Sequence, residues 1–124
     1  MANVRLVLYT EDPFFQKQAV LKVRGVTVLR SPAELHDLFN TEDTAGEVGF
    51  IVDLMSHQLD SIHWIARIRQ HFPNATIVGL VHPAAAEKKM AAKLAGAQYV
   101  LPRDSFPMLL EWIEQYFTPS ADAP

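Results

Sequence analysis

Four charged residues stand at the ends of apolar runs in this sequence, where they could form one site. Glu11 and Asp12 follow one run, Asp53 ends a second, and Arg103 follows a third. Carboxylate oxygens bind hard cations and also pair with the planar guanidinium of arginine. The sequence therefore predicts an acidic site that holds either an external cation or an internal one.

The elements that must position these residues alternate between short apolar runs and segments of helical periodicity. Strands are predicted over residues 4–9, 26–29, 50–54, 76–81 and 99–101. Helices are predicted over residues 13–25, 32–40, 59–72, 84–95 and 107–117. Five strand-helix units without a linker predict an α/β fold with a five-stranded parallel sheet and helices on both faces.

Capping patterns and periodicity predict how some of these helices begin and pack. Asp12-Pro13 and Ser31-Pro32-Ala33-Glu34 are helix-start patterns. The first helix should bury Phe15, Ala19 and Val23, and the fourth should turn Met90 and Leu94 inward. The last helix has two apolar faces; the inner one is Leu109, Ile113 and Phe117, and the outer one is Met108, Trp112 and Tyr116.

Composition limits the functions that this chain can have. Eleven basic and fourteen acidic residues give a net charge of −3 without a basic block, which disfavours nucleic-acid binding. There is no cysteine, no signal-peptide pattern and no membrane-spanning apolar run, so a cytoplasmic protein without membrane contact is expected. One domain is expected over residues 3–118, with a disordered tail over 119–124.

Strand ends in a parallel sheet meet at one edge, where ligands bind. That edge should gather Thr10, Glu11 and Asp12 with Asp53, Val81 and Arg103. In this order of elements, and in the spacing from Gly96-Ala97 to Arg103, the chain resembles the receiver domain of response regulators over essentially residues 3–118. The resemblance implies a (βα)5 flavodoxin-like, CheY-like fold with strand order 2-1-3-4-5.

The resemblance also implies site roles, which are carried over residue by residue. Asp53 matches the phosphoacceptor, and Met55 would offer a backbone carbonyl to Mg²⁺. The family's pair of acids falls on Thr10 and Glu11, so one acid is missing, although Asp12 is adjacent. Glu11, Asp12, Asp53 and Met55 would hold Mg²⁺ weakly or not at all.

Other family positions are altered in ways that weaken switching. Val81 stands where a threonine or serine would hydrogen-bond a phosphoryl oxygen, and Val100 stands where an aromatic residue would rotate. Arg103 replaces the family's lysine. We therefore hypothesise that the Arg103 guanidinium forks onto the unphosphorylated Asp53 and locks the domain in one conformation.

These observations favour a non-enzymatic, stand-alone, atypical receiver in two-component or phosphorelay signalling, which acts through protein contacts. A conventional receiver phosphorylated at Asp53 by a histidine kinase is an alternative, and a small flavodoxin-like ligand-binding protein or enzyme is a third. The expected partners are a histidine kinase, a downstream signalling protein, or a second copy that binds through helix four, strand five and helix five. Met108, Trp112 and Tyr116 are the candidate interface residues.

Overall fold

The computed structural model of this chain describes residues 4–41 and 47–116. The five predicted strands form one parallel sheet in the order β2-β1-β3-β4-β5, which confirms the predicted fold class and strand order. The strands are β1 (Val4–Tyr9), β2 (Thr27–Leu29), β3 (Glu47–Asp53), β4 (Thr76–Val81) and β5 (Tyr99–Pro102).

Within residues 4–41 and 47–116, five helices connect and cover the strands. They are α1 (Pro13–Lys22), α2 (Pro32–Thr41), α3 (Ser61–His71), α4 (Ala86–Ala95) and α5 (Phe106–Tyr116), and a short 3-10 turn (Arg103–Ser105) precedes α5. The helix-start patterns act as predicted, since Asp12 caps α1 and the Ser31 hydroxyl accepts from the Glu34 amide. Helix α1 ends at Lys22, earlier than predicted, and Gly25 adopts a φ of 80° in the turn beyond it.

The core has two layers because alternate residues of each strand point to opposite faces of the sheet. From β1, Leu6 and Leu8 face α1 and α5, whereas Val7 and Tyr9 belong to the cluster under α2 and α3. The predicted inner face of α1 is confirmed, because Phe15, Ala19 and Val23 are all buried. The sheet is therefore covered on both sides, and its carboxyl edge lies between the two layers.

Helix α4 packs differently from the prediction. Met90 and Leu94 were expected inward, but they are 68% and 85% exposed. The contact uses Ala92, which is fully buried, with Ala95 packed against the same core cluster. Small side chains let α4 approach closely, so its longer apolar side chains project outward.

Arg69 on α3 links the loops that lead into β4 and β5. Its guanidinium donates to the carbonyl oxygens of Pro73 at 2.9 Å, Ala75 at 2.7 Å and Gly96 at 2.8 Å. A fourth bond, of 2.8 Å, reaches Oε1 of Gln98. One side chain thus fixes the amino-terminal approaches of two neighbouring strands.

Some predicted boundaries differ, and others are not tested. Strand β3 begins at Glu47, earlier than the predicted residue 50, and pairs with β1 over six residues of each strand. The predicted tail over 119–124, Phe117 and the side chain of Tyr116 lie outside what the structure describes. Over the described helices, none combines the length and the apolar character that a bilayer crossing requires.

Candidate functional site

The carboxyl edge of the sheet brings several of the predicted site residues together. Thr10 follows β1, Asp53 ends β3, and Arg103 begins the 3-10 turn after β5. Asp12, the cap of α1, reaches Arg103 from the neighbouring loop, with its Oδ2 at 3.2 Å from the arginine Nη2. These four side chains form the candidate site.

Asp53 is the centre of this group, and its carboxylate is fully engaged. Its side chain is only 3% exposed. Oδ1 accepts from the Met55 amide at 3.1 Å and from Arg103 Nε at 3.2 Å. Oδ2 accepts from the Thr10 hydroxyl at 2.8 Å and from Arg103 Nη2 at 3.0 Å. A carboxylate offers about four acceptor positions, so all of them are used.

Arg103 makes the planar, two-bond contact with Asp53 that the sequence suggested for these residues. Its guanidinium carbon also lies 4.6 Å from the centroid of the Phe15 ring. Desolvation lowers the pKa of Arg103, but hydrogen bonds and charge from Asp53 and Asp12 outweigh it and raise that pKa. The guanidinium therefore remains charged at every physiological pH.

Thr10 makes hydrogen bonds that the resemblance to receiver domains did not predict. Its hydroxyl is fully buried, donates to Asp53 and accepts from the Asp12 amide at 3.1 Å. The position at which the family has an acid thus holds the carboxylate of Asp53 in place through a neutral hydrogen bond. It also fixes the loop that carries Asp12.

Glu11 is held by the loop after β3 and by Tyr9, through the hydrogen bonds that its carboxylate accepts. Its carboxylate accepts from the amides of His57, at 2.8 Å, and Gln58, and from the hydroxyl of Tyr9 at 2.9 Å. Burial raises the pKa of Glu11, but these hydrogen bonds outweigh it and hold that pKa below its ordinary value. Glu11 therefore ties β1 to the loop after β3.

The arrangement does not fit the magnesium site that the resemblance implies. Glu11 is occupied by backbone amides and a hydroxyl, while Asp12 and Asp53 share the Arg103 guanidinium. Among the described residues, no three acidic or histidine side chains are placed to hold a metal. The role of the Met55 carbonyl as a ligand stays a prediction.

The two positions at which the resemblance implies switch residues are apolar and buried. Val81 and Val100 both pack in the core cluster under α2 and α3, and Tyr99 is exposed on the edge strand.

The sequence did not predict a contact from Lys88 on α4, whose Nζ donates to the carbonyl oxygen of Leu54 at 3.1 Å. Only its position above the end of β3 distinguishes Lys88 from its neighbour Lys89.

Large exposed apolar side chains lie on α1 and on the elements α4, β5 and α5. We call the second group the α4–β5–α5 patch and define it by Met90, Leu94, Tyr99, Met108 and Trp112. The predicted outward positions Met108 and Trp112 are 71% and 49% exposed. Beside them, an apolar cavity of about 440 Å³ opens between α5 and the sheet.

Comparison with known proteins gives the same fold. No family model and no curated protein sequence matches the chain. A signal receiver domain of a DNA-binding response regulator from Colwellia psychrerythraea 34H superposes with a TM-score of 0.71 at 16% identity, and the match covers 90% of this chain and 96% of that one.

Two further solved structures agree. The Mn²⁺-bound response regulator Rcp1 gives a TM-score of 0.73 at 14% identity, covering 98% of this chain and 99% of that one. A signal receiver domain of an HD domain-containing protein from Pseudomonas fluorescens Pf-5 gives 0.72 at 17% identity, covering 94% and 88%. The chain has the fold of response regulator receiver domains.

Proposed function

With the receiver fold as the premise, we propose that this chain is a non-catalytic signalling module whose conformation does not depend on phosphorylation. It acts by binding another protein. One observation carries the proposal, namely that the Asp53 carboxylate is buried and already accepts two hydrogen bonds from Arg103.

Phosphoryl transfer requires a carboxylate oxygen that can reach the donor. Both oxygens of Asp53 accept two hydrogen bonds each, and an incoming phosphoryl group would have to displace Arg103 or Thr10. Charge on the transferred group is normally offset by a divalent cation, and the residues here do not fit one. The site therefore supports an ion pair better than it supports phosphoryl transfer.

Transmission of a phosphorylation signal would also lack its usual contacts. A bound group shifts a conformational equilibrium only through contacts that differ between the two states. Val81 offers no hydrogen bond to an added oxyanion, and Lys88 already joins α4 to the end of β3 through Leu54. A single resting conformation is the state that these contacts favour.

The wild-type protein is expected not to respond to beryllofluoride, which mimics a phosphoryl group, in the presence of Mg²⁺. Amide NMR shifts at Asp53, Val81 and α4 should stay unchanged up to millimolar reagent. The physical reason is that Arg103 and Thr10 occupy the carboxylate oxygens that the reagent must bind.

A variant of the same chain supplies the matched control. Substituting Thr10→Asp, Val81→Thr and Arg103→Lys together restores the family's residue types at three altered positions, and this variant should show shifts at Asp53. A saturable response of the wild-type protein would instead establish a conventional receiver phosphorylated at Asp53 and would overturn the proposal.

Contact through the α4–β5–α5 patch is the second part of the proposal, and a second copy of the chain is the partner that can be tested directly. In protein interfaces, large apolar side chains that lie beside an apolar cavity contribute much of the binding energy. Met108 and Trp112 border the cavity, and Tyr99 and Leu109 also line it.

Sedimentation velocity tests this surface. Wild-type protein should self-associate as its concentration rises, and Met108→Asp should weaken that association about tenfold or more because a charge enters an apolar contact. Leu21→Asp, on the exposed face of α1, is the control and should leave it unchanged. A wild-type protein that stays monomeric at millimolar concentration would rule out the homodimer.

A further inference from the structure

Asp12 and Asp53 converge on one nitrogen atom. Arg103 Nη2 lies 3.2 Å from Oδ2 of Asp12 and 3.0 Å from Oδ2 of Asp53. The two carboxylates come from different elements, since Asp12 caps α1 and Asp53 ends β3. The fold thus brings two carboxylate oxygens to a single position, and a positive charge from the chain itself occupies that position.

An external divalent cation and this guanidinium cannot share the position. Two cations about 3 Å apart in a partly buried site repel each other strongly, because the effective dielectric constant there is far below that of water. The third nearby acid does not relieve this repulsion, since Glu11 is held by the amides of His57 and Gln58. Occupancy by Arg103 and occupancy by a metal ion are therefore mutually exclusive.

Arg103 is also held from its other side. Its guanidinium stacks over Phe15, and the Phe15 ring stacks on Phe106 with centroids 4.4 Å apart. Because Arg103 is tethered to the chain, its effective concentration at the two carboxylates is high compared with that of a metal ion in solution. A metal ion from solution would have to displace a cation that the chain keeps in place.

We propose that Arg103 is the resident cation of this site and substitutes for the divalent metal, so that its removal turns Asp12 and Asp53 into a divalent-cation site. This inference rests on the proposed function and states which charge balances the acids. The wild-type site excludes Mg²⁺ and Mn²⁺, and the vacated site binds them weakly through two carboxylates.

The test is a titration with Mn²⁺, followed by amide NMR line broadening and by calorimetry, with no phosphoryl donor present. Wild-type protein should show no saturable broadening at Asp12 and Asp53. Arg103→Ala should show it at both, with a dissociation constant of roughly 10⁻³ M, as expected for a site with few ligands. Adding Asp12→Asn to Arg103→Ala should abolish it.

Three further variants make the result decisive. Arg103→Met keeps an apolar stem over Phe15 and replaces Arg103→Ala if the alanine variant does not fold. Arg24→Ala removes an exposed arginine elsewhere and should bind no more Mn²⁺ than wild type. Arg103→Lys alone keeps a cation beside only two carboxylates and should also remain without the site, unlike the triple variant, in which Thr10→Asp adds a third carboxylate.

Two outcomes would overturn the inference. One is saturable binding of Mn²⁺ at Asp12 and Asp53 in the wild-type protein with the affinity of the variant. The other is the absence of binding in folded Arg103→Ala or Arg103→Met. Wild-type protein that binds Mn²⁺ but ignores beryllofluoride would refute this inference alone, whereas a wild-type response to beryllofluoride would refute the proposed function.

Discussion

Replacing Arg103 with alanine is expected to lower the free energy of unfolding by about 3 kcal/mol at neutral pH, because it leaves a buried carboxylate without its counter-ion. Asp53 would keep only the hydrogen bonds from Thr10 and the Met55 amide. Urea unfolding followed by circular dichroism measures the change. The partial exposure of Arg103 to solvent places this effect at the lower end of the range for buried pairs.

A double-mutant cycle with Asp53→Asn separates the pair from its surroundings. Because the two side chains share two hydrogen bonds, the double variant should lose less stability than the sum of the single variants, with a coupling of about 2 kcal/mol. Arg24→Ala is the charge-matched control and should change stability by less than about 0.5 kcal/mol. Additive single effects would mean that the pair contributes nothing as a pair.

Replacing Arg69 with alanine is expected to cost about 2–4 kcal/mol, because four hydrogen bonds from one charged group disappear together. Three of their acceptors are main-chain carbonyls in the loops before β4 and β5. Arg69→Lys should recover only part of the loss, since a single ammonium cannot reach four acceptors in a fixed planar arrangement.

Arg67 provides the control on the same helix. Its guanidinium lies 4.7 Å from the Trp64 ring centroid, a contact worth about 0.5–1 kcal/mol at a partly exposed site. Arg67→Ala should therefore lower the unfolding free energy by clearly less than Arg69→Ala in the same urea experiment. Equal losses from the two substitutions would show that the loop contacts of Arg69 do not stabilise the fold.

The fold was predictable from sequence because its signals are local and repeated. Apolar β-branched runs mark each strand, and Asp12-Pro13 fixes the start of α1. The strand order came from the resemblance to receivers. Burial on α4 was predicted wrongly for Met90 and Leu94, because periodicity cannot tell whether a helix packs through large side chains or through alanines such as Ala92.

The site was predictable only in part. The positions of both residues at strand ends predicted that Asp53 and Arg103 would lie close together. The planar guanidinium of arginine suggested that it would make two hydrogen bonds to the Asp53 carboxylate. The direction of Glu11 was not predictable, because it depends on the amides of a loop 46 residues away in sequence. The contacts of Arg69 and Lys88 were missed for the same reason, since all but one of them end on main-chain carbonyls, which any residue type provides.

The fork between Asp53 and Arg103 also has a consequence for the information that the proposed module could carry. Both of its charges belong to the chain. The proposed module would therefore need neither a phosphate donor nor the magnesium of the cell to set its conformation. Occupancy of a partner would then follow mass action alone. The signal of such a module would depend on its own concentration in the cell. Synthesis and degradation, and not chemical modification, would then control it.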